Sequence, residues 1–538
     1  MAPYKLLIAA AGVGSRLDAM TRYLNKSLVR IGKQPSLGYI LDWAPADVPV
    51  VVAIGYRGNL VRDYLELAFP ERTFEFVTVD PYEGPDSSMG YSLLATRAHL
   101  DCPFILSSCD TLVFSNFQPP DRNWIGVSLS DDSAQYSTVL CANNRVMRIN
   151  EKGAADFDFA YIGLIGVKDH AAFWENLAAA HAAAPLDSAL NDCVAVERML
   201  ESGHDFEVVQ FSDWLDIGNS RALGHARRAI KDSFDNLEKT DEAIYIREPD
   251  HVIKFFHDPK TVAQRVRRAA ILGDSVPKVG PVRRNFYRYE YSQGALLAPN
   301  VNERSVQELF EWCRGNLWRP VELDASEREA FVSVCSNFYK DKTLGRVQKF
   351  VEPFSISDEA IVVNGIPVPQ LVQLLEAIDW AWLCDGTPTG FHGDLHFENI
   401  IINRDENGVA AFKLLDWRQD FGGVEEYGDV YYDLAKLNHG MLVSHDVVRR
   451  DLFNVKISGN NVTCDILRPD RLVRCQERFL MLLRHYGYDV HKVEVLTALI
   501  FLNIAVLHHY PYSTFLYYYG RDRLAHALAG ATLVSRAA

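Results

Sequence analysis

The chain has no disulfide or zinc framework: its nine cysteines are an odd number, scattered singly from Cys102 to Cys475, with no C-x-x-C and no Cys/His pair at zinc spacing. That pattern fits reduced thiols and excludes a small cross-linked secreted fold. Basic residues are in deficit, 55 Lys and Arg against 70 Asp and Glu, for a net charge of −15. Nucleic-acid and anionic-membrane binding draw on clustered cations to displace counterions, so neither is an expected partner. No uninterrupted apolar stretch approaches the ~20 residues that span a bilayer, and the run from Leu6 to Ala11 is too short for a signal-peptide core. Internal repeats and low-complexity segments are also lacking. A cytoplasmic protein acting on small molecules is the expectation, and homo-oligomerisation stays open.

What the chain has is bulk. Its 538 residues, 48% hydrophobic and 23% charged, exceed a single ordinary domain and can bury cores that need no metal to hold them. From Lys5 to about Val167 short apolar strands ("KLLIAAAG", "VPVVVAIG", "FEFVTV", "FILSSCD", "WIGVSLS", "FAYIGLIGV") alternate with helical patterns, which predicts an α/β domain with a largely parallel sheet. Charge accumulates over Arg221 to Glu242, a solvated helix and connector that places a boundary near 232/233. Beyond it "AIYI", a Pro249-Asp250 turn and "HVIKFF" predict a β-hairpin. From Pro369 onward the chain reads as mostly helical, with one strand-rich interruption between Phe391 and Asp416.

Chemistry first surfaces in "IAAAGVGSRL". Gly12 and Gly14 follow a strand, where missing side chains let backbone N–H groups approach an anion. A dinucleotide-binding turn needs a third small residue, and Leu17 stands there instead. Arg16 and, in "NKSL", Lys26 add two cations. Asp110 at the end of "FILSSCD" and Asp216 in "WLDIGN" are strand-end carboxylates able to hold Mg²⁺. The alternative is plain: a tight strand-to-helix turn, two solvated cations and a capping aspartate.

This ordered set resembles the sugar-phosphate and phosphocholine nucleotidyltransferases, whose signature runs L-A-A-G-x-G-[ST]-R-L, P-K-[PA]-L, a strand-end aspartate and W-x-D-[IV]-G. The resemblance covers roughly residues 4 to 230. It implies a Rossmann-like mixed α/β sheet, with Ala11, Gly12, Gly14, Ser15 and Ser88 (in "SMGYSLLAT") on the nucleotide and Glu151 and Lys152 (in "NEKGAADF") near the acceptor. Arg16 and Lys26 would act in catalysis, and Asp110 and Asp216 would bind metal. Asn25 and Ser27 replace the prolines that flank the family's lysine, and Gly153 replaces a third.

A second constellation stands in "FHGDLHFENIIIN", where His392, Asp394 and Asn399 form H-x-D-x-x-x-x-N, followed by Asp416 in "FKLLDW". Kinase chemistry uses this arrangement, one carboxylate accepting a hydroxyl proton while an amide and a second carboxylate hold Mg²⁺. Lys254 in "HVIKFF" sits on a strand, as a phosphate-pairing lysine does. These residues resemble the aminoglycoside phosphotransferase and choline kinase superfamily. The resemblance implies an α+β protein-kinase-like fold with a mostly helical C-lobe over roughly residues 238 to 538. "YGDVYYDLAKL", with Asp429 and Asp433, matches the helix bracing that family's site, and "YRYEYSQGALL", with Glu290, resembles its adenine-binding hinge. No Gly-rich loop precedes Lys254, and no glutamate lies between Lys254 and Glu290 to pair with it. His392 reads as structural. The tail "HHYPYSTFLYYYGR" admits two readings, an aromatic cage for a quaternary ammonium or core packing.

Together these readings predict a nucleotidyltransferase domain over 1–232 and a small-molecule kinase over 233–538, with N-lobe about 238–296 and C-lobe about 297–538. The expected activity is phosphorylation of an amino alcohol, polyol or sugar by ATP, then nucleotidyl transfer from an NTP, CTP before GTP or UTP. Mg²⁺ would serve both sites, and the product would feed surface-polysaccharide or lipid precursor synthesis. Alternatives are a kinase-like domain that only senses nucleotide, a sugar kinase joined to a guanylyl- or uridylyltransferase, and an antibiotic phosphotransferase.

Overall fold

A computed structural model describes residues 3–130, 132–184, 186, 189–230, 240–354 and 356–537, with side chains undescribed at 354 and 531–537. It divides into two compact units: residues 1–262 with 280–291, and 263–279 with 292–538.

The first unit is built on a nine-stranded sheet. Its strands are β1 (Lys5–Ala10), β2 (Val50–Ile54), β3 (Phe74–Thr78), β4 (Phe104–Ser108), β6 (Trp124–Ser128), β7 (Thr138–Ala142), β8 (Arg145–Asn150), β9 (Phe159–Val167) and β10 (Glu207–Gln210), in the order β3-β2-β1-β4-β9-β6-β10-β8-β7. β5 (Thr111–Leu112) and β11 (Leu215–Asp216) form a separate two-stranded ribbon. β3, β2, β1 and β4 pair in parallel, whereas β9 runs antiparallel to β4, β6 and β7. The sheet is therefore mixed, where the strand–helix alternation predicted a largely parallel one. β1 from Leu6 and β2 read as continuous apolar runs because core lies on both faces of the sheet, with Leu6, Ile8, Val50 and Val52 in one cluster and Leu7 and Val51 in another.

Chain order reverses between β1 and β4, whose neighbours lie on opposite sides in sequence, and their carboxyl ends are in register, Ala9 opposite Ser108. That crevice is where an open α/β sheet binds its ligands.

The predicted hairpin is present: β12 (Glu242–Arg247) pairs antiparallel with β13 (His251–Phe256), and β14 (Val279–Val282) and β15 (Phe286–Glu290) complete a four-stranded sheet in the order β12-β13-β15-β14. The boundary expected at 232/233 lies outside the described residues. The strands expected to open the kinase domain group with the first unit instead. Tyr245, Ile253, Phe255 and Phe286 are fully buried in one core with Leu28, Leu37 and Tyr64. Tyr245 donates to the Leu28 carbonyl (2.7 Å), Arg288 to the Leu67 carbonyl (2.9 Å), and Arg247 pairs with Asp42 (3.2 Å). Four such apolar side chains contribute roughly 2 kcal/mol each on burial, ample to fix the sheet there.

The second unit is mainly helical. Helices Val430–Leu442, Val490–Ile504 and Tyr512–Ala537 pack together, and Tyr512, Phe515, Tyr517 and Tyr518 are buried in their core. The aromatic tail is thus packing rather than an open cage. The stretch Val490–Leu507 is long and apolar enough to cross a membrane by composition, and most of it is buried inside the unit. Strands Ile400–Arg404 and Ala410–Leu414 form the expected interruption. A further sheet, of Ile361–Val363, Ile366–Val368, Phe453–Ser458 and Asn461–Ile466, was not evident from the sequence pattern.

Candidate functional site

In the first unit the loop after β1 turns through Gly14, whose φ of +72° favours glycine. A Cβ there would lie 2.7 Å from the Cβ of Lys26, so the lysine stem rests on bare backbone. The amides of Gly12, Val13 and Gly14 donate to no carbonyl among the described residues and are open to an anion. Asn25 is fully buried, donates to the carbonyls of Ala10 (3.0 Å) and Tyr56 (2.7 Å) and accepts from the Ser27 amide (2.9 Å) and hydroxyl (2.7 Å). These bonds hold the Lys26 turn rigid without the prolines of the resembled family.

Lys26 reaches Asp110 at 2.9 Å. Burial alone would lower the ammonium and raise the carboxyl, but their attraction outweighs it, so Lys26 titrates above and Asp110 below its ordinary range. Burial also pushes the neighbouring Cys109 thiol up to about 11, which keeps it protonated. The β5–β11 ribbon places Asp216 opposite Thr111, and the Ile217 amide donates to the Asp110 carbonyl (3.1 Å), bringing the two aspartates together. A Cβ on Gly218 would stand 3.1 Å from Asp216 Oδ1, 3.5 Å from Asp110 Oδ2 and 3.7 Å from Arg16 Nη2, so all three groups face one small space. Asp216 Oδ1 also accepts from the Gly218 amide (2.8 Å), and two adjacent carboxylates, with lone pairs beyond such bonds, suit a hard divalent cation.

Gln135 and Tyr136 were not singled out by sequence, yet both donate to Asp216 Oδ2, at 2.8 and 3.0 Å. Burial and the Asp216 charge hold the Tyr136 phenol well above its ordinary value, so it stays a donor. Ser88 caps the helix Met89–Leu94, accepting from the Tyr91 amide (3.0 Å). Glu151 and Lys152 are exposed on the turn after β8, and Ser15 and Arg16 on the loop after β1. Lys254 is buried on β13, its ammonium 6.0 Å from the Phe256 ring centre, and Glu290 is exposed at the end of β15.

In the second unit the H-x-D loop is tied down by backbone bonds. Asp433 accepts from the amides of His392 (2.8 Å) and Gly393 (2.7 Å) and from the Trp318 indole (3.2 Å). Burial raises its carboxyl to about 6, against those bonds. His392 is fully buried, its Nε2 at 2.9 Å from the Leu415 carbonyl, and burial lowers it to about 4. It is a neutral structural residue, as its motif position suggested.

Asp394 is held by three groups. Lys436 Nζ lies 2.7 Å from Oδ1, His396 Nε2 lies 3.5 Å from Oδ2, and Asn399 Nδ2 donates to the Asp394 carbonyl at 3.0 Å. Burial would raise this carboxyl, but Lys436 and His396 outweigh it and hold it well below the carboxylate range. Lys436 was the residue missed. It stood unremarked in "YGDVYYDLAKL", and only the packing of helix Val430–Leu442, capped by Asp429, turns it toward the loop.

The hairpin register, Ile400 opposite Leu414, brings Asn399 and Asp416 to one end of the ribbon, and the Leu415 amide donates to the Asn399 carbonyl (2.7 Å). With its amide nitrogen engaged by Asp394, Asn399 keeps its oxygen for a cation. Asp416 adopts φ +56° and pairs with Arg265, on the helix Pro259–Leu272. Asn399 and Asp416 offer oxygen ligands, and Arg265 competes for one of them.

No protein-family model matches the chain, and no curated protein matches it. Solved structures similar to it include a putative glucose-1-phosphate thymidylyltransferase from Bacillus anthracis (18% identity, 44% of this chain and 98% of that one, TM-score 0.37). Others are the CTP:phosphocholine cytidylyltransferase of Streptococcus pneumoniae (20%, 43% and 100%, 0.36) and an inositol-1-phosphate CTP transferase from T. maritima (18%, 44% and 99%, 0.35). These overlaps fall in the N-terminal part of the chain.

Proposed function

We propose that the chain is a bifunctional transferase, a small-molecule kinase and an NTP-dependent nucleotidyltransferase acting in succession. The observation that carries the second activity is the convergence of Lys26, Arg16, Asp110 and Asp216 beside an open loop of amides at the switch point of the sheet. In that step a phosphate oxygen of the acceptor attacks the α-phosphorus of the NTP. The new P–O bond forms in line as the α–β bridge breaks, and pyrophosphate leaves with the bonding pair. No protein nucleophile is required, because the acceptor phosphate is already an anion. The work of Lys26, Arg16 and the loop amides is to hold two polyanions together.

The first activity rests on Asp394. Its carboxylate accepts the proton of an acceptor hydroxyl as the oxygen attacks the γ-phosphorus of ATP and ADP departs. Lys436, released from Asp394 as charge builds on the transferring group, would follow that charge. Mg²⁺, held by Asp110 and Asp216 in one unit and by Asn399 and Asp416 in the other, would offset triphosphate charge when bound.

The Arg265–Asp416 pair favours a second reading, in which the kinase-like unit binds nucleotide without turnover. Separate assays of ADP and pyrophosphate formation, with ATP, the four NTPs and a panel of free and phosphorylated alcohols and sugars, distinguish the two. ADP formation dependent on a free alcohol supports the kinase. Pyrophosphate release without any alcohol-dependent ADP leaves only the sensor.

A further inference from the structure

A pocket in the second unit is lined by Phe338, Tyr339, Lys342, Tyr432 and Asn503, among others. Tyr432 stands one turn before Lys436, the residue gripping Asp394. Arg418 donates its amide to the His392 carbonyl (3.0 Å) and lays its stem across Gly393, where φ is +89° and a Cβ would come 2.6 Å from that of Arg418. Its guanidinium reaches the ring of Phe338, which lines the pocket, so Arg418 joins the pocket to the residue next to Asp394.

Part of the pocket's wall, Phe338 and Tyr339, comes from a π-helical turn, Asn337–Asp341, between two α-helices. Such a widened turn redirects side chains and recurs at functional sites. Here it aims Phe338 and Lys342 inward. The Phe338 ring then carries two cations, Lys342 Nζ 4.3 Å and the Arg418 guanidinium 5.0 Å from its centre. Arg346, one turn beyond Lys342, donates to Asn503, which donates in turn to Thr343 (3.0 Å). Arg418 Nε is buried with no hydrogen-bond partner among the described residues.

Three cations, Lys342, Arg346 and Arg418, thus gather around one aromatic-walled space, and Asp420 is the carboxylate whose charge acts on Lys342. Burial, with Arg418 and Arg346 beside it, brings the Lys342 ammonium down to about 7. A site that gathers like charges in a partly dry pocket is relieved by an anion and further strained by a cation. The aromatic face that would attract a quaternary ammonium already holds two protein cations.

We propose that this pocket is the acceptor subsite of the kinase and that the acceptor is a hydroxylated small molecule carrying an anionic group, a carboxylate or a phosphate ester, rather than an amino alcohol. This rests on the kinase reading above. The anion sits on Lys342, Arg346 and Arg418 while a hydroxyl faces Asp394, and the phosphorylated product leaves with a second anionic group for the nucleotidyl-transfer step.

The test uses the full chain and a matched panel: hydroxy acids from glycerate to gluconate, glycerol 3-phosphate and sorbitol 6-phosphate, neutral glycerol and sorbitol, and cationic ethanolamine and choline. Binding is followed by ligand-observed NMR without ATP, and transfer by ³¹P NMR with ATP and Mg²⁺. At least one anion is expected to bind and react about tenfold better than its neutral partner, and carboxylate against phosphate preference identifies the anion. Lys342→Met and Arg346→Met should each raise its KM about tenfold at nearly constant kcat, with Lys342→Arg restoring it. Neutral or cationic compounds used as well as the anions would overturn the anionic pocket while leaving the kinase standing. Anion binding lost in Lys342→Met, with no transfer to any compound, would overturn the kinase reading and the acceptor role with it.

Discussion

Each unit centres on a lysine–carboxylate pair, and the two pairs are assembled differently. Lys26 comes from a short turn after β1, braced by Asn25 and resting on Gly14, and Asp110 from the end of β4, so the pair is set by bonds to the backbone around the sheet's edge. Asp394 sits on a loop fixed by Asp433, and its lysine arrives from a helix, so the pair depends on helix packing and on a buried acid that touches no substrate. The first pair is therefore exposed to changes in its own loop, whereas the helical arrangement makes a site fragile at residues remote from the chemistry.

That difference can be tested, beginning with the largest effect. Asp394→Asn should cut alcohol-dependent ADP formation by about 10³-fold while pyrophosphate release is unchanged. A parallel loss of both activities would show that the sites are not independent. Lys26→Ala should cut pyrophosphate release by about 10²-fold and spare ADP formation.

Asp433→Asn should weaken the loop by about 1–3 kcal/mol, because an amide oxygen replaces two acceptors serving three donors. The expected signature is a lowered thermal midpoint for the second unit together with slower phosphoryl transfer. Gly14→Ala should cost about 1–3 kcal/mol through its positive φ and the clash with Lys26, slowing only nucleotidyl transfer. An unshifted midpoint in either variant would contradict the corresponding geometry.

The smallest effect is a pH dependence. Burial, then Arg288 and Arg247, hold His251 of β13 at about 4. Its depressed value means the unfolded chain binds more protons, so the stability it contributes is present above pH 6.5 and is lost as pH falls from 6.5 through 4. The half-exposed ring limits this to about 1 kcal/mol. His251→Gln should flatten the acid side of the first unit's melting profile, and an unchanged profile would refute the assignment.

The sheet and its site were readable because adjacent residues carry them. The apolar run of β1, the glycines after it and the aspartates ending their strands share a local pattern with the geometry they produce. Helix contacts have no such local mark. Lys436 meets Asp394, Arg265 meets Asp416, and Gln135 and Tyr136 meet Asp216 only after distant segments dock. The grouping of β12–β15 with the first unit was hidden for the same reason: a half-apolar hairpin announces that it needs a partner surface, not which one. The pocket around Phe338 and Lys342 depends on a π-helical turn that periodicity does not reveal.

The central claim is that one chain installs a phosphate and then caps it with a nucleotide. Supplying ATP labelled in the γ-phosphate, an unlabelled NTP and a free acceptor, and reading the product by mass spectrometry, tests it most directly. The account predicts that free acceptor yields a nucleoside-diphosphate product whose label lies in the phosphate attached to the acceptor, and that Asp394→Asn forms product only from added pre-phosphorylated acceptor, without the label. An unlabelled product from free acceptor, or none from any phosphorylated acceptor, would contradict it.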